Sequence, residues 1–477
     1  MLPATRLVCG GCGRGVDPRA DAPFRCPAAR AGDGIDHVLA RQLEPAHLGA
    51  DREARQLFLH DEPLPFRRYR RLLHSYQTAT VVGRRSDAEY AALVTRLDAA
   101  VAAVDGRGFR DTPFAPRPAL AAALGLGEAG ELWVKDETGN VSGSHKGRHF
   151  FGLALWLATH PLSSEAPFAV ASCGNAALAA AVVARAVGRA LRVFIPPDAE
   201  PAVVARLQAL GAELAVCPRR AGESGDPCYL RYREAIAGGA IPFTCQGNEN
   251  ALVIEGGETL AWEMISELLR AGRELDHLVV QVGGGALASA CVQAFAEARA
   301  LGVLDRLPRL HTVQTASAHP LERAYERVVE RALAAVTSGS ANSAGSAAPR
   351  DPLARALWLR ETAPQSAIAG ALRFAANHRA AFMRPWETTP HSVAHGILDD
   401  ETYDWLAVVK GMLATGGVPV TVDEATLVEA NDLAVRSTGI AADETGTAGL
   451  AGALALARAG AFAPGDRVAV LFTGVRR

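Results

Sequence analysis

The sequence has almost no net charge, and that lack narrows its partners first. Its 49 Lys and Arg nearly balance 51 Asp and Glu, leaving a formal charge of −2. No general field is available to hold nucleic acid or an anionic membrane, so the expected partners are small molecules. Long apolar runs are missing too, since none reaches the roughly 20 residues needed to span a bilayer. The opening MLPATRLVCGGCGRGVD lacks the basic and apolar regions of a secretory signal. Eight cysteines among 477 residues make no disulfide framework. Three of them cluster near the N-terminus, and the rest read as reduced thiols. No repeat period is present, which argues against a solenoid. These absences set the expectation of a cytoplasmic, enzyme-sized chain with neither a nucleic-acid nor a membrane partner.

What is present is an ordinary globular balance, 49 % apolar and 21 % charged residues. At about 100–200 residues per domain the length suggests two or three domains. Residues 9–37 are rich in Gly, Pro and Asp and predict a small turn-rich knuckle. SDAEYAALVTRLDAAVAAV predicts an amphipathic helix capped by Ser86 or Asp87. From residue 131 onward, strand and helix patterns alternate. ELWVKDE, PFAVAS, LRVFIPP, AELAVCP, HLVVQVGGG, LHTVQTA and DRVAVLFTG read as strands, and helical stretches follow most of them. Such alternation predicts parallel sheets covered by helices on both faces. The Ser/Ala/Gly stretch at 337–351 reads as an exposed loop or linker.

Four segments could carry chemistry. WVKDETGNVSGSHKGRHF puts Lys146 in the first turn of a helix, with Ser144 as its natural N-cap. The helix dipole and burial would both favour a free amine there, able to attack an aldehyde. An exposed lysine after a capped turn has the same pattern. AVASCGNAALAAA places Ser172, Cys173, Gly174 and Asn175 at a strand-to-helix junction, suited to a carboxylate or a phenolic oxygen or to simple capping. VVQVGGGALASA sets Gly283, Gly284 and Gly285 after a buried strand and before a helix, where backbone amides can approach a phosphate closely. A tight turn without a ligand would read alike. The run matches neither GxxxxGK[ST] nor GxGxxG. AVLFTGVRR ends a buried strand at Thr473 and Gly474, where α/β sheets build their ligand crevice.

Taken in order, the four segments resemble the fold-type II family of pyridoxal phosphate (PLP) enzymes, over roughly residues 110–477. Within it the chain is most similar to threonine synthases, through EGGETLAWEMISEL (255–268), GIAADETGTAGLAGAL (439–454) and the LFTG ending. The resemblance implies an α/β, two-domain fold with parallel-rich sheets flanked by helices, plus a small N-terminal zinc-ribbon-like extension. It places a knuckle at 1–45, a large PLP-binding domain at 46–159 and 246–477, and a small mobile substrate domain at 160–245. It implies that Lys146 carries PLP as a Schiff base and moves the α-proton. Asn175 would bond the cofactor's phenolic oxygen, and Ser172, Cys173 and Gly174 would close on the substrate carboxylate. The amides of Gly283, Gly284, Gly285, Ala286 and Leu287 would cradle the phosphate, and Thr473 would face the pyridine nitrogen. A homodimer is implied by the same resemblance.

Departures from the pattern bear on the substrate. The run Ser144-His145-Lys146-Gly147-Arg148 is more like the tryptophan synthase β subunit, which would set His145 near the cofactor phosphate. Arg148 and His149 are candidates to hold a substrate phosphate such as that of O-phosphohomoserine. Alternatives are a serine/threonine ammonia-lyase, a cysteate- or cysteine-synthase-type β-replacement enzyme, and a nucleotide-binding oxidoreductase using the glycines as its pyrophosphate turn. Residues 383–405 match no threonine synthase stretch and either shape substrate choice or form a surface insertion. Finally, Cys9, Cys12, Cys26 and His37 could form a Cys₃His structural zinc site, or a degenerate knuckle that folds without metal.

Overall fold

Short runs of Val, Leu, Ile and Phe, each bounded by turn residues, build two parallel sheets in a computed structural model of the protein. The structure describes residues 3–19, 24–48, 51–160, 162, 165–223, 225–339 and 348–476. In chain order the strands are β1 Thr5–Cys9, β2 Leu39–Leu43, β3 Phe114–Pro116, β4 Glu131–Asp136, β5 Phe168–Ala171 and β6 Leu191–Ile195. They continue with β7 Glu213–Val216, β8 Ile241–Pro242, β9 His277–Gln281, β10 Arg309–Thr315, β11 Pro419–Val422 and β12 Arg467–Phe472.

The larger sheet has the order β11-β10-β9-β12-β4-β3, parallel except where β3 runs antiparallel to β4. The smaller, β7-β6-β5-β8, is wholly parallel and is made only of strands between residues 168 and 242. Buried parallel strands need apolar residues on both faces. Val470, Leu471 and Phe472 of β12 and Val279 and Val280 of β9 are accordingly fully enclosed. β1 and β2 form an antiparallel pair that frames the N-terminal knuckle.

Two helices position the site. Helix Lys146–Thr159 packs against helix Val253–Ala271 so closely that a Cβ on Gly152 would lie 2.6 Å from the Gly256 Cα. Gly257 similarly leaves room for the His149 ring, which a Cβ would meet at 2.2 Å. The glycines of the EGGET run are therefore contact points for the lysine-bearing helix. Helix Asp87–Asp105 begins at the Ser86 cap with a full capping box: Ser86 Oγ accepts from the Glu89 amide, and the Glu89 side chain accepts from the Ser86 amide.

The stretch expected to be a linker is partly helical. Helix Pro320–Gly339 runs into it, and Asp351 caps the helix Pro352–Glu361 that follows. Residues 340–347 of that stretch lie outside the described residues. Among the described residues no helix is long and apolar enough to cross a membrane.

Candidate active site

The carboxyl ends of β4, β12 and β9 lie side by side in the larger sheet, and each delivers one predicted segment. After β4 the chain arcs through residues 137–145. The Glu137 amide donates to the Phe472 carbonyl (2.8 Å), Ser144 forms a bridge with Gly474, and the His145 amide donates to the Thr473 carbonyl (3.3 Å). These bonds place Lys146 directly beside the end of β12.

They also correct the expected cap. Ser144 is drawn into an extended conformation (φ −162°, ψ 165°) by its bridge, so His145 occupies the N-cap position without a side-chain cap bond. The Ser144 hydroxyl is left buried with no partner.

Lys146 is half-buried and makes no hydrogen bond or ion pair among the described residues. The chain has three lysines, Lys135, Lys146 and Lys410. Lys135 is fully buried and bound to Glu263, and Lys410 is exposed on another helix. Lys146 is thus the one unengaged amine at the sheet ends. The scarcity of lysine was a signal available in the sequence that motif reading passed over.

Its surroundings hold the histidines neutral. His149 Nδ1–H donates to the Val253 carbonyl (2.9 Å), while Nε2 is buried without a partner. Burial, reinforced by the Lys146 charge, pushes His149 down to about 3. His145 is held well below its ordinary range by the same two causes and meets the Thr473 carbonyl through Nδ1 at 3.3 Å.

The glycine loop leaves β9 and enters helix Ala286–Ala300 through Gly285, whose φ of +98° lies in the left-handed region that favours glycine. The first-turn amides of that helix, those of Ala286 and Leu287 included, are the orphan donors that anions seek. The Asp399 side chain lies against this turn: a Cβ on Gly283 would come within 2.2 Å of its Oδ2.

Asp399 belongs to the 383–405 segment, whose 384–396 part is largely exposed while its 397–404 part packs on the glycines. Residues 397–404 form a strap across the glycines. The Thr402 hydroxyl donates to the Gly283 carbonyl (3.0 Å) and the Asp404 amide to the Gly284 carbonyl (3.1 Å). Burial raises Asp399 to about 6, with nearby Asp226 and Asp400 adding to the rise and Lys146 opposing it. Burial likewise raises Asp404 to about 7, and its Oδ2 has no partner. Motif reading missed both, because nothing local marks a strap.

The smaller sheet contributes the end of β5. There the Ser172 hydroxyl accepts from the Gly174 amide (3.4 Å), Cys173 is exposed, and Asn175 opens helix Asn175–Ala186. A Cβ on Gly474 would lie 2.8 Å from Asn175 Nδ2, so this loop reaches the end of β12. The Thr473 hydroxyl accepts from Gln281 Nε2 (2.8 Å), which leaves its own proton to donate elsewhere. Lys146, Asn175, Gly283–Gly285 and Thr473 are thereby brought together at the carboxyl ends of β4, β12 and β9.

Arg148 is not brought there. It is fully buried and bonded through Nε and Nη2 to Glu137 (2.8 and 3.0 Å), through Nη1 and Nη2 to Glu263, and to the Thr112 and Thr259 hydroxyls. At about 100° per residue, two positions past Lys146 is the opposite face of the helix, whereas His149 returns to the lysine's side. The expectation of Arg148 as a substrate ligand is corrected by that geometry.

The knuckle brings its four candidates together. One ligand atom from each of Cys9, Cys12, Cys26 and His37 lies within 4.8 Å of every other. Cys12 Sγ and Cys26 Sγ are 3.7 Å apart, the Cys12 amide points at Cys9 Sγ (3.4 Å), and the Ala28 amide at Cys26 Sγ (3.4 Å). His37 Nε2 meets Asp33 Oδ2 at 2.9 Å, leaving Nδ1 toward the thiols, 3.5 Å from Cys9 Sγ. Three sulfurs and an oriented imidazole at this spacing fit tetrahedral zinc.

The residues at the strand ends likewise fit a pyridoxal phosphate. They offer an unengaged amine, a glycine turn opening a helix, and a hydroxyl with a proton to give. Residues 107–360 match the family of pyridoxal-phosphate dependent enzymes. The chain belongs to that family.

Among its relatives, the chain is 31 % identical over 213 residues to a threonine synthase of Synechocystis sp., covering 44 % of this chain and 52 % of that protein. It is 30 % identical over 171 residues to an L-serine dehydratase of Saccharomyces cerevisiae, covering 34 % of this chain and 50 % of that one. The chain thus spans about half the length of the curated relatives it matches. Among solved structures it is similar in fold to a threonine deaminase of T.th. origin. That likeness has a TM-score of 0.54 at 21 % identity and covers 80 % of this chain and 98 % of the other. A pyridoxal 5'-phosphate-dependent aspartate racemase is similar at a TM-score of 0.55 and 17 % identity, covering 80 % and 95 %.

Proposed function

We propose that the protein is a pyridoxal-phosphate lyase that eliminates or replaces a group at Cβ or Cγ of an amino acid. The observation that carries this reading is Lys146, the unengaged amine set between the glycine loop and Thr473. Bound pyridoxal phosphate supplies the electron sink for negative charge at Cα.

In this reading Lys146 would hold the cofactor through its aldehyde carbon and would carry the substrate's α-proton at Nζ. The amides of Gly283, Gly284, Gly285, Ala286 and Leu287 hold the phosphate at a helix N-terminus. Asn175 donates to the phenolic oxygen, and Ser172, Cys173 and Gly174 hold the substrate carboxylate. The Thr473 hydroxyl, oriented by Gln281, donates to the pyridine nitrogen and leaves it largely unprotonated. His145 and His149 are held neutral by burial and by the Lys146 charge.

Within that class the reading favours β-elimination from an uncharged hydroxy amino acid over a threonine synthase acting on O-phosphohomoserine. The cation the sequence offered for a substrate phosphate, Arg148, is committed to Glu137 and Glu263. The carboxylates of Asp226, Asp399 and Asp400 influence one another on the strap side of the site and would repel a phosphorylated side chain. Purified protein given pyridoxal phosphate should release ammonia and a 2-oxo acid from serine or threonine. Phosphate release from O-phosphohomoserine should have a kcat/KM at least about tenfold lower, corresponding to one buried charge conflict of about 1.4 kcal/mol or more. Comparable or faster turnover of O-phosphohomoserine would restore the threonine synthase assignment.

The same reading gives the knuckle one zinc ion held by Cys9, Cys12, Cys26 and His37. Metal analysis of the wild type should find about one zinc per chain, and Cys9→Ser should lower it sharply. Equal content in both proteins would remove the site.

A further inference from the structure

The knuckle reaches the glycine loop through a continuous run of bonds. Its Cys9–Cys12 turn rests on the segment that carries Asp36. The Gly10 amide donates to the Val38 carbonyl (2.8 Å), and a Cβ on Gly11 would collide with the Asp36 carbonyl. Asp36 is buried, and its Oδ1 pairs with Arg379 Nε at 3.1 Å. The Arg379 amide donates to the Gly34 carbonyl (2.9 Å), and its Nη2 pairs with Glu401 of the strap. Beside Glu401, the Thr402 hydroxyl holds the Gly283 carbonyl and the Asp404 amide holds the Gly284 carbonyl. A second contact joins the same parts. The Ala251 amide donates to the Phe24 carbonyl of the knuckle (3.2 Å), and a Cβ on Gly247, earlier in the same loop, would collide with Asp404 Oδ1.

A trans peptide points its carbonyl and the following N–H in opposite directions. The two strap bonds therefore turn the Gly284 and Gly285 amides away from Thr402 and Asp404, where an anion at the helix start can meet them. The knuckle has little apolar core around its ligands to keep this frame ordered. The cluster there is Cys9, Cys26, Leu39 and Ala251, two of them proposed ligands and one from the main body. A turn-rich segment so built takes its order from the metal. Resting on the cofactor and zinc readings above, we propose that Arg379 and Glu401 are positioning residues for the cofactor phosphate, through which zinc in the knuckle braces the glycine loop. Metal fixes Asp36, Asp36 fixes Arg379, and Arg379 fixes the strap that sets the loop's peptide planes. Such a coupling is reciprocal, so zinc and pyridoxal phosphate tighten each other's binding by the same factor.

The test uses the full chain, zinc-loaded and zinc-stripped by chelation, beside zinc-loaded Arg379→Met and Glu401→Gln. Equilibrium binding of pyridoxal phosphate and of pyridoxal, which lacks the phosphate, is measured for each. Loaded wild type should bind pyridoxal phosphate about tenfold more tightly than stripped wild type, a factor usual for coupled sites, and pyridoxal equally in both states. The two variants should keep their zinc yet bind pyridoxal phosphate about tenfold more weakly than loaded wild type, with pyridoxal again unchanged. Hydrogen exchange at the Asp404 amide should quicken when zinc is removed. Equal pyridoxal phosphate affinity in loaded wild type and both variants overturns the proposal, and so do loaded and stripped wild type that bind it alike. Either result leaves the zinc and cofactor readings standing. A wild type that takes up no zinc removes the zinc reading, one that binds no pyridoxal phosphate removes the cofactor reading, and this inference falls with either.

Discussion

Replacing Arg148 by methionine should lower the stability of the fold by about 3–5 kcal/mol, because it removes one partner of a buried ion network and leaves charge uncompensated. Arg148 and Lys135 together face Glu137 and Glu263, with every member almost wholly enclosed. Without the guanidinium, two carboxylates share one ammonium, and the Thr112 and Thr259 hydroxyls lose a donor. The effect should appear as a lowered denaturant midpoint and thermal midpoint.

Its pH dependence follows from Glu263. Burial alone would raise this carboxyl, but Arg148 and Lys135 overcome that and hold it below its ordinary range. A depressed acid contributes its full stability above the unfolded-state value and loses it as the pH falls through the folded-state one. The gap between wild type and variant should accordingly narrow in acid. If Arg148 were a substrate ligand instead, the variant would fold as well as the wild type and show only a raised KM.

Lys146→Ala should have the opposite profile. The lysine makes no bond among the described residues, so stability should change little. Turnover of serine or threonine should fall by about 10³–10⁴-fold or more, the scale associated with losing a positioned proton carrier that is also the covalent anchor. The glycine loop and Thr473 are untouched, so non-covalent binding of pyridoxal phosphate should persist. Activity within tenfold of wild type would remove Lys146 from its role.

The alternation of strands and helices was legible because buried parallel strands must be apolar along their length, as β9 and β12 are. The loops were legible too, since glycine runs and short polar residues mark the places where a chain leaves a strand and enters a helix. Strand order was not. Nothing local tells β12, the last strand, that it inserts between β4 and β9, yet that insertion carries Thr473 to Lys146.

Long-range partners were equally hidden. Arg41 of β2 is buried beside Glu255, Glu258 and Glu297, residues more than 200 positions away, and this fastens the knuckle to the helices behind the site. The strap is the clearest case. Asp399 and Asp404 lie in a stretch that matches no motif, and only the fold lays them against Gly283–Gly285. Two signals were present and passed over: the helical angle that turns Arg148 away from Lys146, and the presence of only three lysines in the chain.

That scarcity makes the most direct test simple. Purified protein is mixed with pyridoxal phosphate, reduced with borohydride, digested and mapped by mass spectrometry. The three lysines fall at well-separated positions, so the label can be assigned without ambiguity. A yellow protein with the pyridoxyl group fixed on Lys146, and on neither Lys135 nor Lys410, is the predicted result. A colourless protein with no label, or one labelled at another lysine while Lys146 stays unmodified, would contradict the account.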